Sequence, residues 1–166
     1  MARRAGTSAA TLAKYERGEV EPGAATLERI VDAVMPRRRR WNSLCALAPA
    51  LFSEFERDRA DLAWKWCGEV LDDEKSADAI ESKLFVSRRP ELTGDSRVDA
   101  LVAALGEYVC LQRNITTPTW MHEPRICNPF WFVAGLAAFE PLALAESPPS
   151  FASRGIFVTR ADLIRI

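Results

Sequence analysis

The sequence is poor in the residues that build catalytic and metal centres. It has one histidine, His122, and four cysteines, no two of them spaced Cys-x-x-Cys. A zinc site is therefore not expected, and we expect reduced, mostly buried thiols. The eight glycines form no Gly-x-Gly-x-x-Gly motif, phosphate loop or nucleophile elbow. The sequence therefore predicts no bound metal and no cofactor.

Long apolar runs are also missing. The most apolar stretch, 130–145, is interrupted by Glu140 and Pro141 and is too short to span a bilayer. The first residues, Met-Ala-Arg-Arg, do not have the pattern of a signal peptide. We therefore expect a cytoplasmic protein that does not contact a membrane.

Candidate catalytic groups are few. His122 and Glu123 form one acid/base candidate, but adjacent polar residues in a proline-rich loop are usually solvated. Carboxylates cluster at Asp58 and Asp61 and again at 72–74, with no glycine loop or histidine beside them to fix a metal or phosphate. The sequence therefore does not predict an enzyme.

The most informative segment lies near the amino end. Gly6 suits the left-handed end of a helix, and Ser8 can cap the next one. Good helix formers fill 9–17, Gly18 ends that run, and a turn at 21–23 leads into a further helix from Ala24. The positions predicted to be buried in these helices are Leu12, Tyr15, Leu27, Ile30, Val31 and Val34.

This segment resembles the Cro/C1-type (XRE) helix-turn-helix family of transcriptional regulators. The resemblance rests on Gly6, Ser8, Leu12, Tyr15-Glu16-Arg17-Gly18, Pro22 and Thr26-Leu27-Glu28-Arg29-Ile30. It implies a repressor-like regulator that binds double-stranded DNA sequence-specifically as a homodimer, with 9–17 in the major groove.

The resemblance also implies which side chains meet DNA. These are Thr7, Ser8, Ala9, Ala10, Thr11, Lys14 and Arg17. Alanine and threonine methyl groups suit thymine, and lysine suits guanine O6 and N7. Hydroxyl groups and arginine suit phosphate oxygens. The alternative for Lys14 and Arg17 is an ordinary solvated charge.

The sequence departs from the family pattern at its start. The usual first helix and most of the second are missing before Gly6. One explanation is a start assigned at an internal codon, and the other is a genuine truncation. We favour the first, because the remaining motif shows no decay. As written, the chain is expected to bind DNA less well than an intact unit.

Charge changes sign near a predicted domain boundary. Residues 1–41 carry a net charge of +4 and residues 42–166 carry −5. A run of arginines follows Pro36: Arg37, Arg38, Arg39 and Arg40. It can neutralise phosphates or serve as a solvated linker. We predict a partial helix-turn-helix over 1–36, a basic linker over 37–43 and a helical partner-binding or effector region over 44–166.

The second region is predicted to be helical and irregular, which makes the whole chain all-α. Apolar spacing predicts a long helix over 47–71, with a break near Pro49, and a helix capped by Ser96. Further predictions are a polar connector at 72–76, a weaker helix over 77–85, a loop-rich stretch over 114–128, a helical run over 131–144, a short strand near 155–158 and a last turn capped by Thr159.

The tail carries a second resemblance. Trp120 and the segments 128–132, 143–148 and 151–158 are similar to the carboxy-terminal region of actinobacterial XRE-type proteins encoded beside nucleotidyltransferase-like toxins. This resemblance implies an alternative function. The chain is then an antitoxin or interaction protein that neutralises such a toxin and autoregulates its operon. In either interpretation, the main role expected of these aromatic residues is core packing.

Overall fold

The computed structural model describes residues 7–23, 26 and 39–163. Several predicted features lie outside the described residues: the turn at Gly6, the helix start at Ala24, the core positions Leu27, Ile30, Val31 and Val34, the side chain of Leu12, Pro36, and the linker residues Arg37 and Arg38. The chain divides into two compact units, Met1–Arg40 and Trp41–Ile166. Helices dominate the described part of both, so the predicted all-α class is confirmed.

The first unit contributes one described helix, α1, Ala9–Glu16. In the second unit the chain runs through α2 (Leu44–Glu56), α3 (Ala60–Ser76), α4 (Ala79–Ser87), α5 (Ser96–Arg113), a 3₁₀ turn (Thr119–His122), β1 (Trp131–Phe132), a second 3₁₀ turn (Ala137–Phe139), α6 (Glu140–Glu146), α7 (Pro149–Ala152), β2 (Ile156–Phe157) and α8 (Arg160–Leu163).

Helix α5 is the centre of the second unit. Seven consecutive residues, 100–106, are buried, so this helix is enclosed on all sides rather than along one stripe. It packs against α2, α3, α4 and α7. Gly106 permits a close approach by two neighbours, because a Cβ there would lie 2.5 Å from Met121 Cε of the first 3₁₀ turn and 2.7 Å from Leu44 Cδ1 of α2. The core of the unit is therefore built around this helix.

The predicted single helix over 47–71 is wrong. Two helices, α2 and α3, meet at a corner where Asp58 has φ of 56°. Buried Glu54 holds that corner, accepting from Arg57 at 3.0 Å and pairing with Arg59 at 2.6 Å. The expected break at Pro49 does not occur. An internal proline costs a helix about 3 kcal/mol, and α2 buries Leu47, Ala48, Leu51 and Phe55 to offset that cost.

Two further boundaries differ from the sequence prediction. The predicted connector at 72–76 is the last part of α3, because Glu74 is buried there and accepts from Ser82 Oγ at 2.5 Å. Asp95, not Ser96, caps α5, and its carboxylate accepts from the backbone N–H of Arg97 at 2.8 Å. The weaker helix predicted over 77–85 is α4, which begins two residues later with a capping box between Asp78 and Glu81.

The helical run predicted over 131–144 is also wrong. Its first part is strand β1, which pairs in parallel with β2, Trp131 opposite Ile156 and Phe132 opposite Phe157. Gly135 then turns the chain with φ of 64°, and only α6 is an α-helix. The partner strand lies more than twenty residues away, so nothing local signals the pairing. The strand predicted near 155–158 is confirmed as β2.

The four cysteines are free thiols, three of them buried. Burial raises the pKa of the Cys67 thiol to about 12. Burial, together with the charges of Glu107 and Glu74, raises the pKa of Cys110 to about 11. Because the thiolate is the reactive form, these two residues are inert packing groups near neutral pH.

Candidate nucleic-acid interface

The amino end of α1 is capped by a side-chain hydroxyl group, with a second hydroxyl beside it. Ser8, in extended backbone with ψ of 155°, accepts from the Thr11 N–H at 3.0 Å. The two hydroxyl oxygens lie 2.8 Å apart and share one hydrogen bond. Each hydroxyl carries one proton, so one proton of this pair stays available to an outside acceptor. Ser8 is therefore confirmed as the cap of α1 and keeps a donor beside it.

One face of α1 is exposed. Ala10 and Lys14 are four residues apart, Arg17 follows three residues later, and all three are exposed. Residues at these spacings lie on one side of a helix. Thr11, Ala13 and Tyr15 are half-buried on the other faces. An α-helix with its side chains is about 10–12 Å in diameter, which fits the major groove of DNA, about 12 Å wide.

The carboxyl end of α1 contains an ion pair that the sequence reasoning missed. Gly18 has φ of 68°, and Glu19 N–H donates to the Lys14 carbonyl at 3.0 Å. This turn brings Glu19 back to Arg17, whose Nε donates to Oε1 at 2.6 Å. Arg17 and Glu19 remain 57% and 49% exposed, so water weakens the pair. The signal available in the sequence was an arginine, a glycine and a glutamate in succession at a helix end.

The remaining predicted DNA contacts are less fully described. Thr7 is half-buried beside the cap, and Ala9 is the first residue of α1, with its side chain outside the described part of the chain. In the arginine run, Arg39 is half-buried and Arg40 is exposed, while the two preceding arginines lie outside the described residues. The structure therefore brings Ser8, Ala10, Thr11, Lys14 and Arg17 together on one short helix with its cap.

The catalytic candidates in the second unit do not converge. His122 is exposed, and Glu123 pairs with Arg89 at 3.0 Å. Asp72 pairs with Lys75 at 2.7 Å on the outer side of α3. Among residues 7–23, 26 and 39–163, no group of three His, Cys, Asp or Glu side chains is placed to hold a metal ion. Within the same ranges, no helix has both the length and the apolarity that a bilayer crossing requires.

Comparison with known protein families identifies the amino end of the chain. Residues 1–34 match the helix-turn-helix family model of the Cro/C1 type, which describes a DNA-binding domain family. Searches among curated proteins and among solved structures found no match. The helix-turn-helix part of the sequence interpretation is thus confirmed for these residues. The similarity of the tail to antitoxin-like proteins stays a prediction.

Proposed function

We propose that the chain is a sequence-specific DNA-binding transcriptional regulator of the XRE type, acting as a repressor. The observation that supports this most directly is the exposed face of α1, where Ala10, Lys14 and Arg17 stand within a helix-turn-helix match. In this proposal α1 lies in the major groove of duplex DNA, and two copies read a two-fold operator.

The side chains of the exposed face supply the chemistry for base reading. Lys14 carries three N–H donors on a flexible stem and donates to guanine O6 or N7. The Ala10 methyl group packs against a thymine methyl group, and its small size allows the helix to approach the bases closely. Lys14 and Ala10 together favour a site that contains a guanine close to a thymine.

Phosphate contacts position the helix. The spare hydroxyl proton of the Ser8–Thr11 pair suits a phosphate oxygen, as does the hydroxyl of Thr7. Arg17 and Arg40 are exposed cations that bind phosphate without regard to base sequence. Glu19 competes with phosphate for Arg17, so binding through this arginine requires the Arg17–Glu19 pair to open.

We expect Lys14→Ala to weaken binding of the full chain to the DNA upstream of its own coding sequence. The loss is about tenfold to a hundredfold, because one good base contact contributes roughly 1–3 kcal/mol of discrimination. Glu19→Gln should strengthen binding, because it leaves the Arg17 guanidinium free for phosphate. Gel-shift titration at fixed salt measures both effects, with random duplex as competitor.

The matched control is Lys65→Ala, which removes another exposed lysine, from α3 in the other unit. It should leave the titration unchanged. The slope of log affinity against log salt concentration then separates the roles of Lys14. If Lys14 contacts phosphate, its loss lowers the magnitude of this slope by about one. If Lys14 contacts a base, its loss changes which DNA sequence the chain prefers. No preference of the wild-type chain for its upstream DNA over random duplex would contradict the proposal.

A further inference from the structure

The second unit contains a cavity of about 370 Å³ that is lined by residues of α3, α5 and α8. Sites for small molecules typically measure about 300–1,000 Å³, so this volume is sufficient for a small organic ligand. The lining combines apolar side chains with a few charged ones. Such a combination suits a ligand that has an apolar body and a single polar head.

Three helices supply the apolar part of the lining. Leu71 of α3 and Val109 of α5 belong to the buried core, and Leu163 of α8 is half-buried and packs against that core. A hydrogen bond of 3.2 Å from Trp64 Nε1 to the Asp162 carbonyl oxygen fixes α8 to α3. The apolar lining is therefore built from packed elements of the fold and can bury a hydrocarbon body.

Two of the charged side chains that line the cavity already have strong partners. Glu74 is buried, and its Oε2 accepts a hydrogen bond of 2.5 Å from Ser82 Oγ. Lys75 is exposed, and its Nζ donates to Asp72 Oδ1 at 2.7 Å. Neither group therefore needs a ligand to balance its charge.

Arg113, the last residue of α5, is in a different situation. Its guanidinium donates from Nη2 to the Ala77 carbonyl oxygen, which is a neutral acceptor. Among the residues that the structure describes, no carboxylate pairs with this guanidinium. A guanidinium has five N–H donors, and Arg113 is half-buried, so water screens its charge less than on an open surface. Arg113 is therefore the cation of the cavity that a ligand can neutralise.

The chemistry of the lining selects the ligand. The planar fork of a guanidinium matches the two oxygens of a carboxylate. Glu74 lines the same cavity and repels a second negative charge, which disfavours dicarboxylates and doubly charged phosphates. Leu71 and Val109 offer no partner to further polar groups, which disfavours sugars. An amine is disfavoured because it would meet the positive charge of Arg113.

We propose that this cavity binds a small monocarboxylic acid with an apolar body, whose carboxylate is held by Arg113. The inference goes beyond the proposed function and does not depend on it, because the site lies wholly within the second unit and involves neither α1 nor DNA.

The test is isothermal titration calorimetry of the full chain with three probes of equal chain length: octanoate, octylamine and octanol. We expect octanoate to bind tightest, because it alone brings a negative charge to Arg113. Arg113→Met should weaken octanoate binding about tenfold to a hundredfold, the usual effect of losing a hydrogen bond between charged groups. Arg113→Lys keeps the charge without the fork and should give an intermediate affinity. Circular dichroism checks that both variants fold.

A second variant tests the cavity while Arg113 stays in place. Gln112 lines the cavity and is exposed, so a tryptophan there can cover the opening without disturbing the core. Gln112→Trp should weaken octanoate binding about tenfold or more, because the ligand loses the burial that the cavity provides. The matched control is Leu111→Trp, at an exposed neighbouring position outside the lining. The control for charge is Arg88→Met, at an exposed arginine after α4.

Four outcomes would overturn the inference: octanoate binding no tighter than octanol, octylamine binding tighter than octanoate, equal weakening by Arg113→Met and Arg88→Met, or equal weakening by the two tryptophan variants. The DNA assay is independent of these. If octanoate binds through Arg113 and the chain prefers no duplex, the proposed function fails and this inference stands.

Discussion

Replacing Gly155 with alanine is expected to lower the free energy of unfolding by about 3 kcal/mol, from a left-handed backbone penalty of about 1–2 kcal/mol and a steric clash. Gly155 has φ of 71°, which disfavours any side chain. An added Cβ would also lie 2.9 Å from the Cys127 carbonyl oxygen and 2.8 Å from Phe130 Cδ1. The phenyl ring can move, but the carbonyl belongs to a backbone paired with Arg154. Urea unfolding followed by tryptophan fluorescence measures the loss.

Gly94→Ala is the matched control for this prediction. Gly94 has φ of 87°, and a Cβ there meets nothing within 4 Å. Its substitution therefore reports the backbone penalty alone, about 1–2 kcal/mol. If the two variants were equally stable, close approach at Gly155 would have no energetic role.

Replacing Arg154 with methionine is expected to lower the free energy of unfolding by about 2–3 kcal/mol, because Arg154 is buried whereas Glu107, with a side chain that is 30% exposed, regains part of its hydration. Arg154 is 7% exposed, and its Nη2 donates to Glu107 Oε2 at 2.7 Å and to the Met121 carbonyl at 2.6 Å. Methionine fills most of the volume but donates nothing, so both acceptors lose their partner. Thermal and urea unfolding report the change.

Two comparison variants make this result interpretable. Arg160→Met alters an exposed arginine of the same tail and should change stability by less than about 0.5 kcal/mol. Adding Glu107→Gln to Arg154→Met removes the carboxylate left without its guanidinium, so the double variant should recover part of the loss. A loss for Arg154→Met as small as that for Arg160→Met would show that the contacts of Arg154 contribute nothing.

Features governed by near neighbours along the chain were predictable from the sequence. Ser8 caps α1 and Gly18 ends it, because both depend on residues within one turn. The apolar spacing of α5 located that helix but not its central position, since burial on all sides depends on its neighbours. The corner at Asp58 was not predicted, because it depends on the burial of Glu54, which no local sequence pattern indicates.

Features that depend on distant contacts were not predictable. The 131–144 segment is apolar enough for a helix, and only the far strand β2 makes its first residues extended. Arg154 and Glu107 are 47 residues apart, so no local pattern pairs them. In the candidate DNA interface, the sequence alone indicated which residues α1 exposes. It did not indicate the ion pair between Arg17 and Glu19, because that pair depends on the turn at Gly18.

The enclosure of α5 has a consequence for how the second unit opens. A helix whose middle seven residues are all covered cannot stay folded once any neighbouring helix departs, because water would then meet an uncharged flank. The free energy of any partial opening that exposes residues 100–106 is therefore nearly as large as the free energy of complete unfolding. We therefore expect the second unit to unfold cooperatively. The backbone amide hydrogens of residues 100–106 should exchange with solvent only through global unfolding of this unit.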